Sequence, residues 1–152
     1  MKSGLSLKQE ITEHMKEAMR SGDAKRRDAI RLLQAAIKQR EVDDRVEMDD
    51  VAVIAVIEKM IKQRKDSITQ YVAAKREDLA DIERYEVNVL HAYMPKALSD
   101  SEIEGIVEEV IASTGVKKQQ EMGKVIAVLK PKLAGQADMG KVAALVKKKL
   151  SI

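Results

Sequence analysis

The sequence predicts an all-α protein: a four-helix bundle over residues 1–94, followed by a smaller, basic three-helix bundle over residues 95–152. Three observations carry that expectation. Apolar residues recur at a 3.6 period through every long segment, and no segment keeps up an alternation of period two. The composition suits helices: Ala, Glu, Lys, Leu and Arg abound, Phe and Trp are absent, and the two Pro are Pro95 and Pro131. The charge balance changes at Met94-Pro95, with 18 basic and 18 acidic side chains before the break and ten Lys against seven acids after it.

Each element follows from its own signals. Leu7, Ile11, Met15 and Met19 make the first apolar stripe, and Ser21-Gly22 ends it. Asp23 can cap a second helix carrying Ile30, Leu33 and Ile37 with their neighbours Leu32 and Ala36. Val42 to Glu47 is polar and reads as a loop. Asp49 or Asp50 can cap a third helix with Val53, Ile57, Ile61, Ile68 and Tyr71 on one face, and a fourth segment carries Leu79, Ile82, Tyr85, Val89 and Leu90. Pro95 disfavours helix at Met94, so the pattern stops there. Ser99 and Glu102 then form a capping-box signature ahead of Ile103, Ile106, Val107, Val110 and Ile111, and Thr114-Gly115 reads as the stop. A sixth helix is expected near Met122 to Leu133, closed by Gly135, and a seventh from about Asp138 to Lys149.

Charge is gathered in the last two of these helices. From Ala112 onward there are nine Lys, one Glu and one Asp, whereas the fifth helix holds Asp100, Glu102, Glu104, Glu108 and Glu109. The second bundle is therefore polarised, and positive charge collected in this way calls for an anionic partner. Met-Gly-Lys-Val occurs twice here, at Met122 and at Met139. Stepping ~100° per residue from Met122 puts Val125, Ile126, Leu129 and Leu133 with it on one arc, and Gly123, Ala127 and Pro131 opposite, between Lys124 and Lys130. Glycine near a helix start allows either the close approach of a phosphate or tight packing on the fifth helix. In the seventh helix Met139, Val142, Val146 and Leu150 share the apolar arc, with Lys141 and Lys148 on the far side. Lys147, Lys148 and Lys149 also complement the negative end of the helix dipole.

Other chemistry is sparse. Without Cys the chain has no disulfide, thiolate metal site or thiol nucleophile. His14 and His91 stand alone on separate helices and read as ordinary surface residues. No metal-ligand spacing, nucleophile elbow or glycine-rich phosphate loop occurs, so no catalytic residue, metal or cofactor is expected. Three Tyr are the only aromatic side chains, which argues against single-strand recognition by base stacking. No apolar h-region opens the chain, and the longest apolar run, Val51 to Ile57, falls far short of the ~20 residues of a membrane span. The expectation is a soluble, cytoplasmic protein with no membrane partner. Arg64 falls in the apolar seam of the third helix, where it must pair with a carboxylate or reach water; a bundle ion pair and a functional patch both fit.

Lys62-Gln63-Arg64-Lys65-Asp66-Ser67-Ile68, with Tyr71, Ala74, Arg76, Asp78-Leu79-Ala80, Glu83, Glu86, Leu90 and Tyr93-Met94-Pro95, closely resembles the YqeY family. So does Met122-Gly123-Lys124-Val125 followed by Lys130-Pro131-Lys132 and Ala137-Asp138. The resemblance covers essentially the whole chain. It implies the fold of the tail of the B subunit of the glutamine-dependent aspartyl/glutamyl-tRNA amidotransferase, a GatB/YqeY relationship in which the tail contacts tRNA. It also implies a label, carbon–nitrogen ligation with glutamine as amide donor, although that chemistry resides in other domains and subunits. The chain departs from the family at one turn: where Lys-Gly-Lys-Ala-Asp is typical, Ala134-Gly135-Gln136-Ala137-Asp138 stands here. The turn glycine is kept and both flanking charges are lost.

The function expected from these readings is that of a stand-alone tRNA-binding or tRNA-sensing accessory protein in translation, without catalysis of its own. Its phosphate contacts would be Lys117, Lys118, Lys124, Lys130, Lys132, Lys141, Lys147 and Lys148, with Gly123, Gly135 and Gly140 as points of close approach. The alternative is a protein–protein adaptor that binds an amidotransferase subunit or another translation factor through its helix faces.

Overall fold

A computed structural model describes residues 4–151. Seven α-helices follow one another: α1 Leu7–Ser21, α2 Ala24–Asp44, α3 Asp50–Ala73, α4 Glu77–His91, α5 Asp100–Thr114, α6 Met122–Lys132 and α7 Met139–Leu150. A short 3-10 turn, Gln119–Glu121, leads into α6, and there is no strand among the described residues. The chain forms two compact units that part between Met94 and Pro95.

Local chemistry sets the helix ends. Ser6 and Gln9 close a capping box on α1, and Gly22 ends that helix in the left-handed region at φ 72°. Asp23 and Asp49 cap α2 and α3 by accepting from Arg26 and Ala52. Ser99 and Glu102 form the box that starts α5, and Gly115 at φ 69° stops it. The backbone N–H of Leu7 donates to Asp50 Oδ1 at 2.9 Å, which fastens the start of α1 to the start of α3.

The first unit buries Ile11, Ile30, Leu33, Val53, Ile57 and Leu90 together. The second builds its core from Val107 and Val110 of α5, Val125 and Leu129 of α6, Leu133, and Val142 and Val146 of α7. These small aliphatic side chains replace the missing aromatic volume, and each sits on the arc that the helical period assigns to it.

Four expectations need correction. The loop expected from Val42 is helical as far as Asp44, because Gln39 bonds Asp43 and Arg40 pairs with Asp44 one turn on; Arg45, at φ 55°, then ends α2. Met19, Leu32 and Ile82 fall with the apolar faces in sequence but are 60%, 46% and 56% exposed. Ile82 lies roughly 100° round α4 from the row of Ala80, Glu83, Val87 and Leu90 that faces α3. That row includes the carboxylate of Glu83, so counting apolar residues alone put Ile82 on the inward side although Leu90 was placed correctly.

Candidate nucleic-acid interface

Val116 is buried in the second unit and anchors the segment that leaves α5, so Lys117 and Lys118 stand exposed just beyond it. The side chain of Gln119 donates from Nε2 to the carbonyl of Lys147 at 3.0 Å. This contact ties the lead-in of α6 to the last turn of α7. Val125 and Leu129 turn α6 inward and leave Gly123, Lys124, Ala127, Lys130, Pro131 and Lys132 exposed. Val142, Val146 and Leu150 do the same for α7, exposing Lys141, Lys147 and Lys148.

All eight sequence-predicted lysines are exposed. Seven have no carboxylate within ion-pair distance among the described residues. The eighth, Lys124, meets Glu121 of the preceding turn at 3.2 Å. Lys149 behaves differently. Its ammonium is held by Glu108 at 2.7 Å and Glu104 at 2.9 Å, and these hydrogen bonds raise its pKa while Lys149 lowers that of Glu104. The acidic helix therefore engages the end of α7 and does not merely turn away from it.

The two Met-Gly-Lys-Val copies have different surroundings. The second is capped by Asp138, whose Oδ1 accepts the Gly140 N–H at 2.8 Å. A Cβ at Gly140 would come within 3.2 Å of that carboxylate oxygen, so the cap itself accounts for the glycine. The first copy has no side-chain cap, and a Cβ at Gly123 would meet nothing within 4 Å. Packing against α5 therefore does not require that glycine, and its face stays open. Gly135 has φ 71°, a backbone that side chains resist, and this fixes the α6–α7 turn.

Gln136, one of the two positions that depart from the family turn, has a structural role. Its carbonyl accepts from the Leu98 N–H at 3.0 Å, and its side chain donates to the Lys96 carbonyl at 3.2 Å. The turn thereby holds the segment that enters the second unit. Nothing in the local sequence announced this bond or that of Gln119, since both partners are backbone carbonyls far away along the chain.

Polar contacts in the first unit serve its packing. Arg64 Nε lies 2.6 Å from Glu86 and 4.0 Å from Glu83, all three largely shielded, which makes it a bundle ion pair. Burial, then the neighbouring Glu86 charge, raises the Glu83 pKa. His14, expected on the surface, is half-buried with Nδ1 2.6 Å from the Tyr93 hydroxyl, and burial pushes the tyrosine pKa up to about 12. Between α2 and α4 lies a groove of about 510 Å³, lined by Ala29, Ile82 and Tyr85 among acidic side chains, with the Lys25 ammonium 5.9 Å from the Tyr85 ring centroid. Among the described residues no helix is long and apolar enough to cross a membrane.

A family model described as Yqey-like protein matches residues 8–150. Curated relatives include the yeast protein named "Altered inheritance of mitochondria protein 41, mitochondrial". The form from Kluyveromyces lactis is 33% identical over 124 residues, covering 76% of this chain and 66% of the relative. That from Candida glabrata is 35% identical over 86 residues, covering 55% and 47%. That from Vanderwaltozyma polyspora is 33% identical over 104 residues, covering 66% and 56%. The chain thus spans about half to two thirds of the length of these relatives. Their names correct the expected cytoplasmic location, since all three are designated mitochondrial. The features behind that expectation, no apolar h-region and no apolar run long enough for a span, do not tell one intracellular compartment from another.

Proposed function

The chain belongs to the YqeY family, and from that premise we propose that it is an accessory protein that binds structured RNA, with tRNA the first ligand to test, through the lysines of its second unit. The observation that carries this reading is the set of exposed lysines there, seven of them without a carboxylate partner among the described residues. Lysine supplies point charge and not a bidentate fork, and there is no Arg after Arg84, so the unit suits phosphates better than base edges. Binding would follow charge and shape without strong sequence preference. The link to amidotransferases and the division into two domains, one binding and one scaffold, belong to the same proposal. No catalytic step is assigned, because among the described residues no convergent set of titratable groups supports one.

The test is a titration of unfractionated tRNA against the full chain between 50 and 200 mM salt. Changing all eight lysines to Gln is expected to abolish binding. Changing Lys38, Lys59, Lys62 and Lys65 of the first unit, equally exposed, is expected to leave affinity within about twofold. Absence of binding by the unaltered protein at low salt removes the RNA reading. The groove between α2 and α4, with the exposed Ile82 in its lining, then favours the second reading, an adaptor for a protein partner.

A further inference from the structure

The lysines of the second unit stand at its two ends. The turn between α6 and α7 gathers Lys130, Lys132 and Lys141 at one end. At the other, the hydrogen bond from Gln119 to the Lys147 carbonyl joins the segment that carries Lys117 and Lys118 to the last turn of α7, which carries Lys147 and Lys148 almost thirty residues on in sequence. The 11 residues of α6 span ~16 Å, about two Debye lengths at physiological salt, so the two ends act as separate charge clusters.

The end held by Gln119 carries the larger number of lysines, and three carboxylates of the unit are already engaged elsewhere. Glu121 pairs with Lys124, and Glu104 and Glu108 pair with Lys149. None of these reaches Lys117, Lys118, Lys147 or Lys148. Four like charges are thus carried by segments joined through a neutral amide contact, and among the described residues no carboxylate pairs with any of them. A ligand with several closely spaced negative charges relieves their repulsion.

We propose that Lys117, Lys118, Lys147 and Lys148 form one composite site for consecutive phosphates of an RNA backbone, with Gln119 as the positioning residue that joins its halves. The proposal rests on the RNA reading above and deepens it by ranking one end of the unit over the other. Lys130, Lys132 and Lys141 then contribute only long-range attraction. Lys124 and Lys149, held by carboxylates, contribute less than their exposure suggests.

The experiment compares four full-length proteins in tRNA titrations at several salt concentrations: the unaltered chain, a quadruple variant with the four site lysines changed to Gln, a triple variant with Lys130, Lys132 and Lys141 changed to Gln, and Gln119→Ala. The quadruple variant is expected to bind about a hundredfold more weakly at moderate salt, with its log–log salt slope reduced by ~3 to 4. The triple variant is expected to lose less than about one unit of slope. Gln119→Ala removes no charge, yet is expected to weaken binding about threefold and to lower the slope by ~1. A merely structural role for Gln119 would shift thermal unfolding and leave the slope unchanged. If the triple variant loses as much slope per charge as the quadruple, or Gln119→Ala keeps the full slope, the composite site is wrong and RNA binding by diffuse charge stands. If the unaltered chain binds no RNA, both readings fall together.

Discussion

The two units handle positive charge in opposite ways. Among the described residues of the first unit, eight basic side chains stand in ion pairs, six of them Arg. Among the described residues of the second unit, which has ten Lys in sequence, only Lys124 and Lys149 do. The residue type matches the use. The planar guanidinium of Arg64 can sit in a seam between helices and meet two carboxylates, whereas a lysine ammonium is strongly hydrated and stays in water. In the first unit the shielded pairing of Arg64 with Glu86 supports packing. Charge in the second is left facing outward, at some cost in self-repulsion, and that difference directs attention to the smaller unit.

The comparison is broken most directly through the cores. Leu129→Ala removes a fully buried side chain from the smaller unit and is expected to cost about 3 kcal/mol, enough to abolish its cooperative unfolding. Ile57→Ala should cost a similar amount while leaving the larger unit folded. Hydrogen exchange resolved by residue reads both, and loss of protection throughout the chain in Leu129→Ala would show that the units do not fold separately.

The next effect concerns the ion pairs. Arg64→Met leaves Glu86 and Glu83 shielded without a cation and is expected to destabilise the first unit by about 2 kcal/mol in urea titration. Lys149→Met should matter much less, because Glu104 and Glu108 are more than half exposed and remain hydrated. Equal effects would mean that both units use charge alike.

Two glycines sharpen the picture within the second unit. Gly135→Ala forces a side chain into the left-handed region and should cost about 1 kcal/mol. Gly123→Ala enters open space on a helix and should add stability of about 0.7 kcal/mol. Thermal melts measure both. A weaker affinity for tRNA in the stabilised Gly123→Ala protein would identify that face as a place of close approach.

The smallest effect depends on pH. Burial holds the Glu83 pKa above its ordinary value of 4.5, so the native state keeps that proton more tightly than the unfolded chain. Its contribution is fully present below 4.5 and is lost as pH rises through the raised native value. Glu83→Gln, which stays neutral, is therefore expected to be slightly more stable than the unaltered protein at pH 7. The advantage should shrink on acidification and vanish below the ordinary carboxylate value. Stability measured by denaturant titration across that range checks the sign.

The sequence by itself determined the helices, their caps, the break at Pro95 and the exposure of the eight lysines. Those features are local: a capping serine, a glycine at φ > 0 or an apolar arc acts within one or two turns. Only the tertiary structure decided which face of α4 is inward, because there Arg64 substitutes an ion pair for apolar contact. It also decided that Gln119 and Gln136 reach carbonyls of distant segments, and that His14 meets Tyr93. It was the packing of α5 against α7 that let Glu104 and Glu108 hold Lys149 and not its neighbours. Such pairings depend on which helices pack together, and neither hydrophobic period nor charge count encodes that choice at a single residue.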